Sequence, residues 1–435
     1  MKHSLYNNIV KITDNTSLLY NAGKDCFILV KDSVCLKSDP NQLFSKNHSL
    51  YEEFIKNGII IDNDVDEFKQ QLRLYHDSLL NSTNFSLIIN PTLDCNLHCW
   101  YCYENHIKSS RIAENTLTGI LKMIDKVFEK QSELQTFSLS FFGGEPLLDI
   151  DTVKTIIDYT SQCCQKRNVS LHVSFTSNGV LLNSESIQYF TKQHLDVGFQ
   201  ITLDGGKEYH DKTRFSKGKI GTYDIILRNI QSLAENQISV VLRINYTAEN
   251  FSSIPSILND IKNWDDTIKA YIKVDLQRVW QDNEGEIEEA PLMEQFRNNG
   301  FVISSPLLDM DNLRQPCYAD YANELLVNYN GDIFKCTARD FSSENRLGYL
   351  TDEGNIVWTS LTPEERIQQI LPKKICSTCS IFPLCGGGCL QKRSEIQDEN
   401  TCMYHITEGQ KKEIILNRFY HHIVKKQVTE HTNPQ

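Results

Sequence analysis

The stretch PTLDCNLHCWYCYE, residues 91–104, contains Cys95, Cys99 and Cys102 and directly follows an apolar run that is typical of a β-strand. Three thiolates on one loop form a metal site that is one protein ligand short. In an iron–sulfur cube each iron takes one cysteine, so three cysteines leave one iron open to a ligand that is not protein. The spacing therefore predicts an iron–sulfur cluster in which one iron has no protein ligand and is available for chemistry.

Zinc is the alternative occupant of this loop. Cysteines two and three residues apart also hold structural zinc, with His98 or His106 as the fourth tetrahedral ligand. A zinc knuckle needs a second ligand pair at helix or hairpin spacing, and none follows for about forty residues. The spacing favours iron and leaves zinc open.

Composition places the chain among multidomain proteins of a reducing compartment. A chain of 435 residues is longer than a typical single domain, so two or three domains are expected. A net charge of −12 argues against nucleic acid or an anionic membrane as a partner. With no apolar signal segment and no run of ~18 apolar residues, a cytoplasmic protein is expected. In that compartment fourteen cysteines indicate metal ligands or catalysis rather than disulfides.

From residue 86 to about residue 277, short apolar strands alternate with amphipathic helices. Strands are predicted near residues 86, 137, 169, 197, 238 and 268, with a helical segment after each of the first five. This alternation predicts an α/β fold with a parallel sheet and right-handed crossovers. Barrels of this kind place their active sites at the C-terminal ends of the strands.

The cysteine spacing, with Tyr101 before the last cysteine, resembles the signature of the radical S-adenosylmethionine (SAM) enzymes. Further motifs follow in family-like order: Gly143-Gly144-Glu145-Pro146, Thr176-Ser177-Asn178-Gly179, Thr202-Leu203-Asp204-Gly205, His210-Asp211, Arg214 and Gly221-Thr222-Tyr223. The resemblance covers about half of the chain. It implies the family's fold, a partial (β/α)6 TIM-like barrel.

The resemblance also implies the cofactors and their contacts. Cys95, Cys99 and Cys102 would hold a [4Fe–4S] cluster whose open iron chelates SAM, and reduction would cleave SAM to a 5′-deoxyadenosyl radical. The implied SAM contacts are Gly143, Gly144 and Glu145 at the methionyl amine, Asn178 and Thr202 at the ribose, Arg214 at the carboxylate, Asp204 in the adjoining turn, and Tyr101 in the cysteine motif. Without the family, a Gly-Gly pair or an Asp-Gly after a strand is an ordinary turn.

A second array of cysteines occupies the C-terminal third of the chain. It resembles the SPASM extension, which carries two auxiliary [4Fe–4S] clusters, so three clusters are implied in all. The resemblance assigns Cys376, Cys379, Cys385 and Cys402 to the distal cluster, and Cys317, Cys336 and Cys389 to the nearer one. Some relatives supply a further cysteine where Asn323 stands, so one iron of the nearer cluster is expected to be open. A zinc ribbon is the alternative for the paired cysteines.

The N-terminal segment resembles the small winged-helix modules that bind leader peptides in ribosomal-peptide maturases. Such a module adds an extended peptide as an extra strand at a sheet edge. A helical cap that only packs on the barrel is the alternative. The expected domains are 1–85 for peptide recognition, 86–300 for the radical SAM partial barrel, 301–405 for the SPASM auxiliary clusters and 406–435 for a C-terminal helix and tail. Residues 281–289 are acidic and are predicted to be a solvated linker.

Two reactions fit these resemblances. In the first, the radical takes a hydrogen from a residue of a ribosomally made precursor peptide, and a thioether or C–C cross-link closes. Auxiliary clusters would accept the spare electron, and a reductase such as flavodoxin or ferredoxin would supply the first one. The second reaction is the sulfatase-maturating oxidation of serine or cysteine to formylglycine. Enzymes of that type carry an aspartate directly after the second SPASM cysteine, where this chain has Thr337, with Asp340 nearby.

A non-catalytic iron–sulfur or zinc protein is the third interpretation. It predicts no cleavage of SAM. The catalytic residue stays unknown at this point, because the geometry of proton transfer has to be established before a general base is assigned.

Overall fold

The computed structural model describes residues 1–31, 39–81, 83–192, 195–216, 218–282, 285, 287–304 and 316–432. Its strands are β1 (Lys2–His3), β2 (Asn7–Thr13), β3 (Thr16–Asn21), β4 (Cys26–Lys31), β5 (Ile60–Ile61), β6 (Asn84–Asn90), β7 (Thr136–Phe141), β8 (Ser170–Ser177), β9 (Asp196–Leu203), β10 (Phe215–Ser216), β11 (Ile220–Gly221), β12 (Ser239–Tyr246), β13 (Ile272–Arg278), β14 (Val302–Ser304), β15 (Glu324–Asn328), β16 (Asp332–Phe334), β17 (Gly348–Leu350) and β18 (Ile356–Trp358).

The α-helices are α1 (Pro40–Lys46), α2 (His48–Lys56), α3 (Glu67–Leu79), α4 (Glu114–Lys130), α5 (Ile150–Arg167), α6 (Ser184–Lys192), α7 (Lys207–Thr213), α8 (Tyr223–Glu235), α9 (Ile254–Ile261), α10 (Asp266–Lys269), α11 (Ala290–Asn298), α12 (Pro363–Gln369), α13 (Phe382–Cys385), α14 (Leu390–Glu395) and α15 (Glu408–Thr432). Short 3-10 helices cover Pro146–Asp149, Phe251–Ser253, Tyr318–Asp320 and Lys374–Thr378. Within the described part of the chain, none of the helices has the length and apolar character that crossing a bilayer requires.

The chain divides into two compact units. The sheet unit comprises residues 82–308 and 323–362, and the cysteine-array unit comprises residues 1–81, 309–322 and 363–435. The four domain boundaries expected from the sequence stay a prediction.

The sheet unit is built on one sheet of eleven strands, in the order β14-β13-β12-β9-β8-β7-β6-β15-β16-β17-β18. Neighbouring strands run parallel from β14 to β15, and β15 to β18 form an antiparallel meander. The six predicted strands are present as β6, β7, β8, β9, β12 and β13, which confirms the α/β fold. The last begins at Ile272 rather than near 268, because residues 266–269 form α10.

The two faces of this sheet differ because successive side chains in a strand point to opposite sides. One face carries fully buried residues such as Leu139, Phe175 and Leu242, on which helices α4, α5 and α8 pack. Burying each such side chain contributes about 2 kcal/mol. The other face carries polar residues such as Ser140 and Arg243, which are only partly buried. From β7 to β14 the sheet therefore has one core face and one partly exposed polar face, whereas on β6, β15 and β16 the second face carries a buried apolar cluster of Ile88, Leu326 and Phe334.

The cysteine-array unit joins the two ends of the chain. Strands β2, β3 and β4 form an antiparallel sheet, and β1 pairs with β5. Val10 and Leu18 of that sheet share a buried cluster with Phe382 and with Ile415 of α15, and Phe419 packs against the same cluster. The N-terminal sheet and the cysteine-rich segment thus have a common core. The winged-helix resemblance stays a prediction.

Candidate active site

The loop after β6 carries the three cysteines of the first motif. Burial raises the pKa of the Cys95 thiol to about 12 and that of Cys99 to about 11. A thiolate at Cys102 raises both values further, so the three sulfurs are close enough to repel one another when ionised. Cys102 is exposed. Without a cation, this loop disfavours the thiolate form that binds metals.

The donor set fits an iron–sulfur cluster, which supplies the missing positive charge. Within the described residues, no three His, Cys, Asp or Glu side chains are grouped to hold a single metal ion. A cube spreads its protein ligands more widely than a single ion does, because each thiolate binds a different iron. His106 Nε2 lies 3.5 Å from Cys102 Sγ, the contact that the zinc alternative would use.

The Gly143-Gly144 pair after β7 packs directly against the cysteine loop. A Cβ on Gly143 would lie 2.4 Å from the Thr92 carbonyl oxygen, and one on Gly144 would lie 2.2 Å from that of Asp94. The Gly144 N–H donates to Thr92 O at 3.1 Å, and the Glu145 N–H donates to Asp94 O at 2.9 Å. Glycine is required here because any side chain would displace the cysteine loop.

The Glu145 side chain extends from this contact to the end of β8. Its carboxylate accepts hydrogen bonds from Asn178 N at 2.7 Å, Ser177 Oγ at 2.9 Å and Leu147 N at 3.0 Å. Complete burial raises the pKa of Glu145 to about 7, even though these bonds favour the charged form. One carboxylate thus connects two of the sequence motifs.

The end of β8 also contacts the cysteine loop. Asn178 Nδ2 donates to Asn96 Oδ1 at 2.8 Å and lies 3.8 Å from Cys95 Sγ. Its Oδ1 accepts from Val180 N at 3.0 Å. Thr202 is buried one residue before the end of β9. The role of these two residues at a ribose stays a prediction.

Tyr101, Asp204 and Arg214 form a buried polar cluster beside the cysteines. The Tyr101 hydroxyl donates to Asp204 Oδ1 at 2.6 Å and accepts from Arg214 Nη2 at 2.7 Å, while Arg214 Nε forms an ion pair with Asp204. Burial alone would lower the pKa of Arg214, but Tyr101 and Asp204 raise it well above its ordinary value. Asp204 therefore does more than shape a turn, because it holds the arginine that faces Cys99.

The motif from His210 to Tyr223 contacts the polar cluster of Tyr101, Asp204 and Arg214. His210 Nδ1 accepts from Asp204 N at 3.2 Å, and His210 Nε2 lies 3.1 Å from Thr222 Oγ1. Burial and the nearby Arg214 lower the pKa of His210 to about 3, so its ring is neutral. Asp211 Oδ1 accepts from Thr222 N at 2.7 Å and from Tyr223 N at 2.9 Å, which fixes the start of α8.

The sequence did not single out several residues of this site. Asn245 Nδ2 donates to the Tyr101 hydroxyl at 3.1 Å, and Gln281 Nε2 donates to Tyr101 O at 3.0 Å. Asn245 lies near the C-terminal end of β12, so the strand-end rule could have identified it. Asp282, with a side chain 8% exposed, pairs with Arg278, so the predicted solvated linker over residues 281–289 is wrong at its start.

The distal part of the second cysteine array is compact. Burial raises the pKa of Cys385 to about 12, and thiolates at Cys379, Cys376 and Cys402 would raise it further. Arg393 is fully buried and donates through Nε to Gly387 O at 3.2 Å and through Nη2 to Gly386 O. The four predicted ligands of the distal cluster therefore face one another. Their cluster stays a prediction.

The predicted ligands of the nearer cluster are divided between the units. Cys317 and Cys389 belong to the cysteine-array unit. Burial raises the pKa of the Tyr404 hydroxyl, and thiolates at Cys317 and Cys389 raise it further, so both cysteines lie near this hydroxyl. Cys336 belongs to the sheet unit and accepts from Ala338 N at 3.3 Å. That these three meet at one cluster stays a prediction, as does an open iron beside Asn323.

Comparison with known proteins gives a consistent set of relatives. The radical SAM superfamily matches residues 89–261, from the end of β6 to the end of α9. A cysteine-type anaerobic sulfatase-maturating enzyme of Clostridium novyi (strain NT) is 24% identical over 342 residues, covering 71% of this chain and 89% of the relative. A radical SAM cyclopropyl synthase, TigE, of Paramaledivibacter caminithermalis is 23% identical over 441 residues, covering 89% of each chain.

A solved structure shares the fold over most of the chain. Streptococcus suis SuiB, solved bound to the precursor peptide SuiA, superimposes with a TM-score of 0.50 and 14% sequence identity. The superposition covers 92% of this chain and 97% of SuiB. The likeness therefore extends beyond the residues matched by the superfamily.

Proposed function

The chain carries a radical SAM superfamily domain and is an enzyme of that superfamily, and from this premise we propose that it modifies a ribosomally made precursor peptide. The reaction removes a hydrogen from one residue of that peptide and closes a thioether or C–C cross-link. The superfamily implies one [4Fe–4S] cluster and SAM. When bound, this pair supplies the one-electron chemistry that generates a 5′-deoxyadenosyl radical.

The observation that carries the proposal is the extent of the likeness. TigE aligns with 89% of this chain and SuiB superimposes on 92% of it, so both include far more than a radical SAM domain. SuiB binds a precursor peptide, as its structure with SuiA records. A peptide is therefore the substrate class that the relatives support best.

The residues of the sheet unit have separate tasks in this reaction. Cys95, Cys99 and Cys102 would hold the cluster, and Gly143 and Gly144 keep their loop in place. The buried Arg214 carries a fixed positive charge beside Cys99, which suits the carboxylate of SAM.

Closing a thioether from a C–H and an S–H bond removes two hydrogens from the peptide. One would leave as a hydrogen atom through the radical chemistry that bound SAM supplies, and the other would leave as a proton to solvent. The remaining electron needs an acceptor, and auxiliary clusters, which the second cysteine array would hold, would supply one. A reductase such as flavodoxin or ferredoxin would supply the electron that starts each turnover.

The N-terminal sheet is the proposed site for the leader of the precursor peptide. Within the described residues, β4 pairs with β3 on one side and with no strand on the other. Leu29 on this edge strand is 57% exposed. An open edge of this kind can accept an extended peptide as a further strand, with backbone hydrogen bonds supplying affinity.

The test uses the anaerobically reconstituted full chain, SAM, dithionite and candidate precursor peptides, taken from any short reading frames found near this gene. We expect 5′-deoxyadenosine and a peptide that has lost two hydrogens, with no fragment ions between the linked residues. The Cys99→Ala variant, which removes one cluster ligand, should give neither product. An unchanged peptide mass in the presence of 5′-deoxyadenosine formation would contradict peptide maturation.

Oxidation of serine or cysteine to formylglycine is the second candidate function. The match to the sulfatase-maturating enzyme, over 89% of that relative, favours it. Thr337 stands where such enzymes carry an aspartate, and the Asp340 carboxylate already accepts from Ser342 Oγ at 3.1 Å and from Asn345 Nδ2 at 2.5 Å. A sulfatase peptide that becomes reactive towards a hydrazide probe would establish this function.

A further inference from the structure

A row of polar side chains crosses the partly exposed polar face of the sheet unit. Thr202, Arg243, Asp275 and Ser304 lie directly beside one another in register on β9, β12, β13 and β14. The residues that flank Arg243 and Asp275 in sequence are buried on the opposite, core face. Arg243, Asp275 and Ser304 are themselves partly exposed. A cation and an anion thus stand side by side on an accessible surface.

The two side chains are neighbours without a direct ion pair, although the charge of Asp275 acts on Arg243 and opposes the lowering of its pKa by burial. Arg243 Nε donates to Asn245 Oδ1 at 2.8 Å, which leaves the terminal N–H groups of the guanidinium for another acceptor. Asp275 accepts from Gln277 Nε2 at 2.8 Å and from Ser304 Oγ at 3.1 Å. No ion pair between Arg243 and Asp275 occurs within the described chain, although they are cross-strand neighbours. Both keep hydrogen-bonding capacity for a ligand.

This pair lies close to the cysteine loop. Asn245, which fixes Arg243, also donates through Nδ2 to the Tyr101 hydroxyl at 3.1 Å. One residue therefore connects Arg243 to the motif that carries the cluster ligands. A group held at Arg243 and Asp275 would lie beside the reaction that the loop supports.

The opposite charges of Arg243 and Asp275 limit the kinds of ligand that can bind between them. Asp275 repels a simple anion, and Arg243 repels a simple cation, so neither binds well between them. An extended peptide offers a carbonyl acceptor and an N–H donor at each residue. Such a group can form hydrogen bonds with both side chains at once and brings no net charge between them.

We propose that Arg243 and Asp275 clamp the backbone of the substrate peptide, with Arg243 donating to a peptide carbonyl and Asp275 accepting a peptide N–H. This inference rests on the proposed peptide-maturing function and assigns it a substrate-binding site. The clamp is independent of side-chain identity, so it orients whichever residue is to be modified. Arg243 and Asp275 are positioning residues, and neither exchanges protons with the substrate.

The test compares Arg243→Ala, Arg243→Lys, Asp275→Asn and Asp275→Ala in the reconstituted full chain. The probe is the candidate precursor peptide that the wild-type enzyme modifies, with its affinity measured by fluorescence anisotropy. His172→Ala and Asp196→Ala are matched controls, because His172 and Asp196 also form a cross-strand polar pair, on β8 and β9. Iron content, SAM affinity and peptide-free formation of 5′-deoxyadenosine are measured for every variant.

We expect both alanine variants to weaken peptide binding about tenfold, the cost of losing one hydrogen bond to a charged group. Arg243→Lys should recover part of the loss, and the controls should match wild type. Iron content and peptide-free SAM cleavage should not change. Peptide affinity within twofold of wild type in both alanine variants, while wild type still modifies the peptide, would overturn the clamp alone.

Two other outcomes also decide against the clamp. Weaker SAM binding with unchanged peptide affinity in Arg243→Ala would assign the guanidinium to the carboxylate of SAM. Wild-type protein that neither binds nor modifies any candidate peptide would overturn the proposed function together with the clamp.

Discussion

The Tyr101 hydroxyl donates a hydrogen bond of 2.6 Å to the carboxylate of Asp204, a residue 103 positions further along the chain. The same hydroxyl accepts from Arg214 and Asn245, so it lies at the centre of three polar side chains from three other segments. This bond fixes the cysteine loop to the end of β9. It also keeps the Arg214 guanidinium beside Cys99.

Replacing Tyr101 by phenylalanine removes the hydroxyl and its hydrogen bonds but keeps the aromatic ring. Arg214 and Asn245 each lose an acceptor, so we expect a loss of about 2 kcal/mol in unfolding free energy. Because Arg214 is no longer held, SAM affinity should fall about tenfold. Urea unfolding and SAM titration check the two effects. Wild-type SAM affinity in Tyr101→Phe would show that the network does not position the SAM site.

Gly144→Ala should release the first cluster. Its new methyl group would meet the Asp94 carbonyl at 2.2 Å, so the cysteine loop has to move. We expect the variant to lose about four irons per chain and the ability to cleave SAM. Gly198→Ala is the matched control, since its methyl group would lie 3.8 Å from the nearest atom outside its own neighbourhood. Full iron occupancy in Gly144→Ala would refute the required close approach.

The sequence predicted the parallel strands and the clustering of motifs at their ends because both follow from local patterns. Alternation of Val173 and Phe175 with polar residues marks a strand, and parallel strands necessarily bring their C-terminal ends to one edge. That Glu145 and Asn178 lie near each other could therefore be predicted. The hydrogen bonds between them could not, because they depend on side-chain directions that sequence spacing does not define.

Two parallel strands escaped prediction for a different reason. β14 has three residues, and β15 pairs with β6 across a separation of more than two hundred residues. A strand this short and a pairing this distant produce no periodic pattern in the local sequence from which they could be predicted. The Arg243–Asp275 row was equally hidden, since it exists only once β12 and β13 are in register.

Arg393→Met should act on the second cysteine array alone. Arg393 donates to the carbonyls of Gly386 and Gly387, which lie between Cys385 and Cys389, and methionine leaves both without this donor. We expect about four fewer irons per chain and a loss of about 3 kcal/mol in stability, with SAM cleavage retained. Arg73→Met, at a side chain 84% exposed in the same unit, is the control. Unchanged iron in Arg393→Met would show that Arg393 does not shape a cluster site.

The Glu145 carboxyl makes the stability of the sheet unit depend on pH. Burial raises its folded-state pKa from 4.5 to about 7, so the folded protein binds the proton more tightly than the unfolded chain. The stability contributed by this group is therefore fully present below pH 4.5 and declines as the pH rises to about 7. A shift of this size corresponds to about 3 kcal/mol.

The measurement compares wild type with Glu145→Gln by urea unfolding between pH 4.5 and 8. The glutamine variant has no proton to bind at this position. The difference in unfolding free energy should fall as pH rises to about 7 and then stay constant, because other carboxyl groups titrate equally in both proteins. A difference that is flat across this range would mean that the three hydrogen bonds to Glu145 outweigh its burial and hold its pKa at the ordinary value.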